Sequence, residues 1–221
     1  MKVYFIQLFV IFGICLVDSA MAYPKTMKDY QFRAQKVLDH YAKTFNTAYQ
    51  FAATSANQEL SIAAGVQHHE TGALMTTEDL VPLGSLTKAY TTMAVMRLID
   101  AGKMGFNDTI VEHADAILMR SNGTTLLELF KGDKRILEVT IYQLLHMRAG
   151  LGDYDDVGMM TMTMADPARE FTALDYIHMF EKDKFFLCDP GECERYSSNG
   201  FVLLGLALAE KSGATLWSDY D

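Results

Sequence analysis

Apolar residues return at helical spacing between Lys28 and Phe45, where Ala34, Val37, Leu38, Tyr41 and Phe45 recur. This stretch predicts an amphipathic helix. Two runs, TAYQFAATS and ELSIAAGVQ, follow with Ser55-Ala56-Asn57-Gln58 between them, and they predict a hairpin of two strands. After a polar loop, helical patterning resumes in GSLTKAYTTMAVMRLIDAGKM, with Gly102 placed as a C-terminal stop. The remainder reads mostly as helix and loop. TIYQLLHM predicts a short helix, and Thr172 with Asp175 forms the text of a capping box ahead of ALDYIHMFEK. SNGFVLLGLALAEKSG predicts an apolar helix of buried type closing at Gly213. No repeat is visible. The order is helix, strands, then helices, and no later strand-like run completes the sheet. A two-stranded hairpin is marginal on its own. Either the helices alone cover it or the rest of the sheet is missing, and the second is the favoured expectation.

The first residues change the picture of where the chain works. MKVYFIQLFVIFGICLVDSAMA joins a basic Lys2 to an apolar run from Val3 to Val17 and the small-residue pattern Ala20-Met21-Ala22. That is the grammar of a secretory signal peptide, residues 1–22, cleaved after Ala22. The run is short against the roughly 20 apolar residues of a membrane span, and an uncleaved anchor is the alternative. No later segment is both long and apolar enough to span. Residues 23–221 are therefore expected to be soluble and secreted, with no stable membrane association after cleavage.

Export in turn changes how the cysteines read. Cys15 leaves with the signal, so Cys188 and Cys193 remain, in CDPGEC. The Pro190-Gly191 turn brings them near one another and an oxidising compartment favours pairing, so a disulfide is expected. No histidines or further cysteines are spaced to complete a metal site, and no metal is expected. The sequons Asn107-Asp108-Thr109 and Asn122-Gly123-Thr124 fit a glycosylated exported protein. The 221 residues allow one domain or two small ones, with a composition (50% hydrophobic, 21% charged) ordinary for a globular chain. The net charge of −9 comes without a Lys/Arg cluster, which argues against nucleic acid and anionic membrane as partners.

The sharpest chemistry lies in VPLGSLTKAY, where Ser85 precedes Lys88 by three residues at a helix start. Residues three apart share a helix face, so Lys88 can reach the Ser85 hydroxyl. A serine hydroxyl is a poor nucleophile until a neighbouring base takes its proton. A lysine serves if burial or nearby positive charge lowers its pKa. The helix N-terminus favours a developing anion, and Gly84 lets the backbone approach closely. An S-x-x-K match by itself is an everyday coincidence. The context comes from VTIYQLLHMRAGLGDYD and PGECERYSSNGFVLLGLALAEKSG, which follow in order.

With these three segments the chain resembles the β-lactamase-related serine hydrolases, which include class C β-lactamases, D-alanyl-D-alanine carboxypeptidases, esterases and aminopeptidases. The matching text is Gly84-Ser85-Leu86-Thr87-Lys88, then Thr140 through Leu144-Leu145 to Gly150-Leu151, then Pro190-Gly191 through Tyr196-Ser197-Ser198 to Leu203-Leu204-Gly205. The likeness runs from about Phe45 to Gly213. It implies an α+β fold, an antiparallel sheet packed with helices plus a helical subdomain. The helix and hairpin would take about 28–70 and the helical part about 83–221, with the C-terminal strands of the sheet absent. It also implies Ser85 as the acylated nucleophile, Lys88 as its proton partner and Tyr196 as a phenol assisting proton transfer. The family's tyrosine motif usually carries asparagine where this chain has Ser198, with Asn199 one place later. That departure weakens a claim to β-lactamase turnover. The implied reaction is hydrolysis or acyl transfer on an amide or ester, peptide or small molecule, without metal or organic cofactor. The alternative is a non-catalytic secreted binding protein of the same fold.

Lys211-Ser212-Gly213 imitates the family's third motif, but a basic residue followed by glycine is ordinary helix-stop chemistry. The true motif, with an oxyanion-hole N–H, is expected beyond Asp221. Met159, Met160, Met162 and Met164 offer soft thioether ligands for Cu(I), set against a flexible apolar loop or flap. His68-His69-Glu70 reads as a solvated strand-end loop. Asp153, Asp155 and Asp156 read as a solvated acidic turn, with a cation site as the alternative.

Overall fold

The computed structural model describes residues 26–55, 57–154, 156–180, 184–216 and 219. The expected signal peptide, Cys15 and Asp155 lie outside the described residues. The chain divides into two compact units, one ending at Pro82 and the other beginning at Leu83.

In the first unit, helix α1 spans Met27–Phe45. The Thr26 side chain starts it by accepting the Asp29 N–H, and Asn46 ends it in the left-handed region at φ 48°. Strands β1 (Tyr49–Ser55) and β2 (Gln58–Ala64) form the expected antiparallel hairpin, in register from Tyr49 opposite Ala64 to Ser55 opposite Gln58. Alternation along β2 buries Leu60, Ile62 and Ala64, the period-2 pattern of a strand with one covered face. α1 packs along β2, and the Gln35 side chain donates to the Ala63 carbonyl at 2.9 Å. The ELSIAAGVQ run is not one strand: β2 ends at Ala64, Gly65 turns at φ +93°, and β3 (Val66–His68) pairs antiparallel with β4 (Ala73–Leu74). These two strands are too short to leave a periodic signal in the sequence.

The second unit is helical and builds its core around its last helix. A 3-10 turn over Gly84–Leu86 runs into α2 (Thr87–Asp100), and α3 (Val111–Asn122), α4 (Leu126–Leu129) and α5 (Ile141–Leu145) follow. Then come α6 (Asp156–Ala165), α7 (Ala173–His178) and α8 (Ser198–Ser212). α8 is apolar on most sides and contacts α2, α3, α5 and α7. Leu203, Leu204 and Ala207 are fully buried there, with Ile117 of α3 and Ile141 of α5. Each fully buried leucine contributes about 1.5–3 kcal/mol. Phe130 anchors the other side, its ring 5.1 Å from Phe185 and 5.5 Å from Phe180.

Thr172 and Asp175 do form a capping box on α7. Lys211-Ser212 closes α8, and Gly213 caps it at φ +83°, so this imitation motif is a helix end. The methionine tract forms α6 rather than a loop. Methionine is a good helix former, and the Thr161 and Thr163 hydroxyls donate to the Val157 and Met159 carbonyls four residues back. The back-bonded hydroxyls leave both threonines satisfied inside the helix, and the four methionines supply the propensity that Gly158 and the threonines lack.

Candidate active site

Ser85 sits in the 3-10 turn that feeds α2, and Lys88 lies in the first turn of that helix. Gly84 before them adopts φ +54°, a backbone state that other residues reach only with strain. Tyr196 lies just ahead of α8 and Ser198 is that helix's first residue. Packing of α2 against α8 brings these pieces together across 111 residues of chain.

The Ser85 Oγ and the Tyr196 hydroxyl are 2.6 Å apart. Lys88 Nζ donates to Ser85 Oγ at 3.4 Å and to Ser198 Oγ at 3.2 Å. The same ammonium stands 4.9 Å from the centre of the Tyr196 ring and 5.7 Å from that of Phe201. Burial pushes the Tyr196 phenol up, but hydrogen bonds with Lys88, Ser85 and Ser198, together with the Lys88 charge, outweigh it. The phenol therefore stands below its ordinary value. Tyr196 is still 56% exposed, so the hydroxyl pair is open to an approaching molecule.

Ser198, not Asn199, faces the lysine. Asn199 is fully buried, and neither atom of its side-chain amide has a hydrogen-bond partner. The shorter serine reaches Lys88 because it opens α8 beside that side chain. The helix start is held by two anchors from another segment. Ser197 Oγ accepts the Gly200 N–H at 3.2 Å and donates to the Gly152 carbonyl at 2.8 Å. Asp153 Oδ1 accepts the Ser198 N–H at 2.8 Å. Asp153 is thus a helix cap rather than a solvated turn residue. A charge next to a tyrosine gives no sequence signal that it caps a helix 45 residues away.

Cys188 and Cys193 are joined as expected, with Cα atoms 6.3 Å apart. Their loop is laced to the same segment. The Gly191 N–H donates to the Arg148 carbonyl and the Arg195 N–H to the Met147 carbonyl, each at 2.8 Å. Arg195 precedes Tyr196, so the bridge closes just ahead of the phenol. The two sequon asparagines, Asn107 and Asn122, are exposed. Among the described residues one group, Asp108, Glu112 and His113, brings metal-ligating atoms within 4.8 Å of one another. Its atoms already hold the start of α3: Asp108 Oδ2 takes the Gly105 N–H and His113 Nε2, and Glu112 takes the Thr109 hydroxyl. Among the described residues no helix is long and apolar enough to cross a membrane.

Residues 35–220 match the sequence profile of the family described as Beta-lactamase. The chain belongs to the beta-lactamase family. Its site residues stand within the matched span. Penicillin-binding protein 4 of Amycolatopsis lactamdurans is 28% identical over 166 residues, 72% of this chain and 36% of that protein. The D-amino acid amidase of Ochrobactrum anthropi SV3 is similar in structure, with a TM-score of 0.65 at 19% identity over 87% of this chain and 49% of that one. A D-stereospecific amidohydrolase from Streptomyces sp. gives a TM-score of 0.59 at 19% identity, over 83% of this chain and 50% of that one. At such identities the likeness is one of fold, and it agrees with the α+β, beta-lactamase-like architecture that the sequence implies. The chain spans about half the length of these solved structures.

Proposed function

We propose that this chain carries the acylation centre of an exported serine hydrolase acting on amide or ester bonds. The observation that supports this most directly is the 2.6 Å contact between Ser85 Oγ and a phenol held below its ordinary pKa. In the proposed reaction Tyr196, as phenolate, takes the Ser85 proton while Ser85 Oγ bonds to the substrate carbonyl carbon. Lys88 donates to Ser85 and Ser198 and stabilises the phenolate. Collapse of the tetrahedral intermediate breaks the C–N or C–O bond, and Tyr196 returns its proton to the leaving amine or alcohol. Water then attacks the Ser85 ester and releases the acid. The similar structures include a D-amino acid amidase and a D-stereospecific amidohydrolase, which supports small amides or peptides with a D-configured residue as the substrate class.

The rival reading is a non-catalytic secreted binding protein, and Ser198 in the usual asparagine position is the feature that favours it. Labelling with a serine-reactive fluorophosphonate, followed by peptide mass mapping, separates the two. The hydrolase reading expects one adduct on Ser85, lost in Ser85→Ala. Absence of an adduct on folded protein, or an adduct that survives Ser85→Ala, rejects it.

A further inference from the structure

The α8 N-terminus is capped from two separate segments of the chain. Ser197, the residue before the helix, already supplies a side-chain cap to Gly200. Asp153 adds a remote one, with Oδ1 taking the Ser198 N–H at 2.8 Å, the Asn199 N–H at 3.4 Å and its neighbour Tyr154 N–H at 3.0 Å. The Ser198 and Asn199 N–H groups are orphan donors of the helix end, where the dipole also favours a carboxylate. The remote cap ties a loop to the α8 residue whose hydroxyl accepts a hydrogen bond from Lys88. That residue, Ser198, offers its Oγ at 3.2 Å to the ammonium that also donates to Ser85. Displacing the Ser198 backbone moves the acceptor that places Lys88, and the same displacement runs into Tyr196 two residues earlier. Tyr196 is more than half exposed, so little packing of its own holds the ring in line.

We propose that Asp153 is a positioning residue for the acylation centre, tethering Ser198 and thereby fixing Lys88 and Tyr196 around Ser85. It does not touch the reacting atoms. The proposal rests on the hydrolase reading above for its catalytic consequence, but its geometric part stands apart from turnover.

Three variants of the full chain test it: Asp153→Ala, which removes the acceptor; Asp153→Asn, which keeps an oxygen acceptor without the charge; and Asp153→Glu, which keeps the charge but shifts the oxygens by a methylene. Two readouts are taken, the rate of fluorophosphonate labelling and the ionisation of Tyr196. The second is followed at 295 nm as the difference between each variant and its Tyr196→Phe counterpart. Misplacement of reacting groups by about an ångström costs on the order of 10²-fold in rate. Asp153→Ala is therefore expected to label roughly 10- to 100-fold more slowly. Its Tyr196 midpoint should rise, since Lys88 and Ser198 no longer hold the phenol down. Asp153→Asn should stay near wild type in both. If the alanine variant does not fold, Asp153→Glu carries the test with the same direction of change. A merely structural role would lower the melting temperature and leave the phenol midpoint in place. A folded Ala or Glu variant with wild-type midpoint and rate overturns the proposal. If wild type is not labelled at Ser85 but the midpoint still moves in Asp153→Ala, the hydrolase reading fails and the tether stands.

Discussion

Gly150 offers a quantitative test of how the loop beneath the site is held. It is buried, adopts φ +72°, and its carbonyl accepts the Leu187 N–H at 2.8 Å. A Cβ built there would lie 3.1 Å from the Cys188 carbonyl carbon and 3.1 Å from its sulfur, and closer still to the carbonyl oxygen. Gly150→Ala thus meets two costs. The left-handed backbone is unfavourable for an L side chain by about 1–2 kcal/mol. Overlap with a backbone carbonyl cannot be relieved by a rotamer change and adds about 1–3 kcal/mol of strain. The stiffer unfolded chain returns about 0.4–1 kcal/mol, which leaves a net loss of roughly 3 kcal/mol. Gly213→Ala is the control. It sits at φ +83° with nothing within 4 Å of its added carbon, so it bears the conformational cost alone, about 1 kcal/mol. Urea denaturation followed by circular dichroism gives both values, provided the slopes match wild type. The difference between the two variants isolates the steric contribution. Equal losses, within about 0.5 kcal/mol, would refute the claim that Gly150 is required by close approach to Cys188. Gly150→Ala should also slow labelling of Ser85, because Gly152 and Asp153 follow in the same loop.

Intact-mass measurement of secreted, unreduced protein is expected to show an N-terminus at Tyr23, glycans on Asn107 and Asn122 in a glycosylating host, and no alkylatable thiol. Two free thiols would rule out the bridge, and its removal by Cys188→Ser with Cys193→Ser should cost about 2 kcal/mol for so short a loop. The pH dependence of labelling follows from the lowered Tyr196 phenol. Its folded pKa is depressed, so the reactive deprotonated form gains as pH rises and the rate should level off below the ordinary phenol range near 10. Lys88→Met should move that rise to higher pH, and a rate independent of pH in wild type would sink Tyr196 as the base.

What the sequence determined by itself lies within a few residues of each signal. Thr172 with Asp175, Gly102 and Gly213 mark helix ends through contacts no more than a turn long. Ser85 and Lys88 meet because three residues bring side chains to one helix face. The CDPGEC turn makes its own disulfide, and alternation along Gln58–Ala64 decides which face of β2 is covered. The family resemblance added Tyr196, which no local rule connects to Ser85. The rest was decided by packing. Only the seating of α8 against α2 sets the phenol 2.6 Å from the serine and turns Ser198, rather than Asn199, toward Lys88. Only the fold of the 150–154 loop converts Asp153 from an acidic turn residue into the cap of a distant helix. The methionine tract reads as a loop until its threonines are seen bonding back along α6. Backbone propensity and capping act over one turn, so they are written in adjacent residues. A helix placed by buried leucines can bring any of its neighbours to a site, and the spacing along the chain carries no record of which.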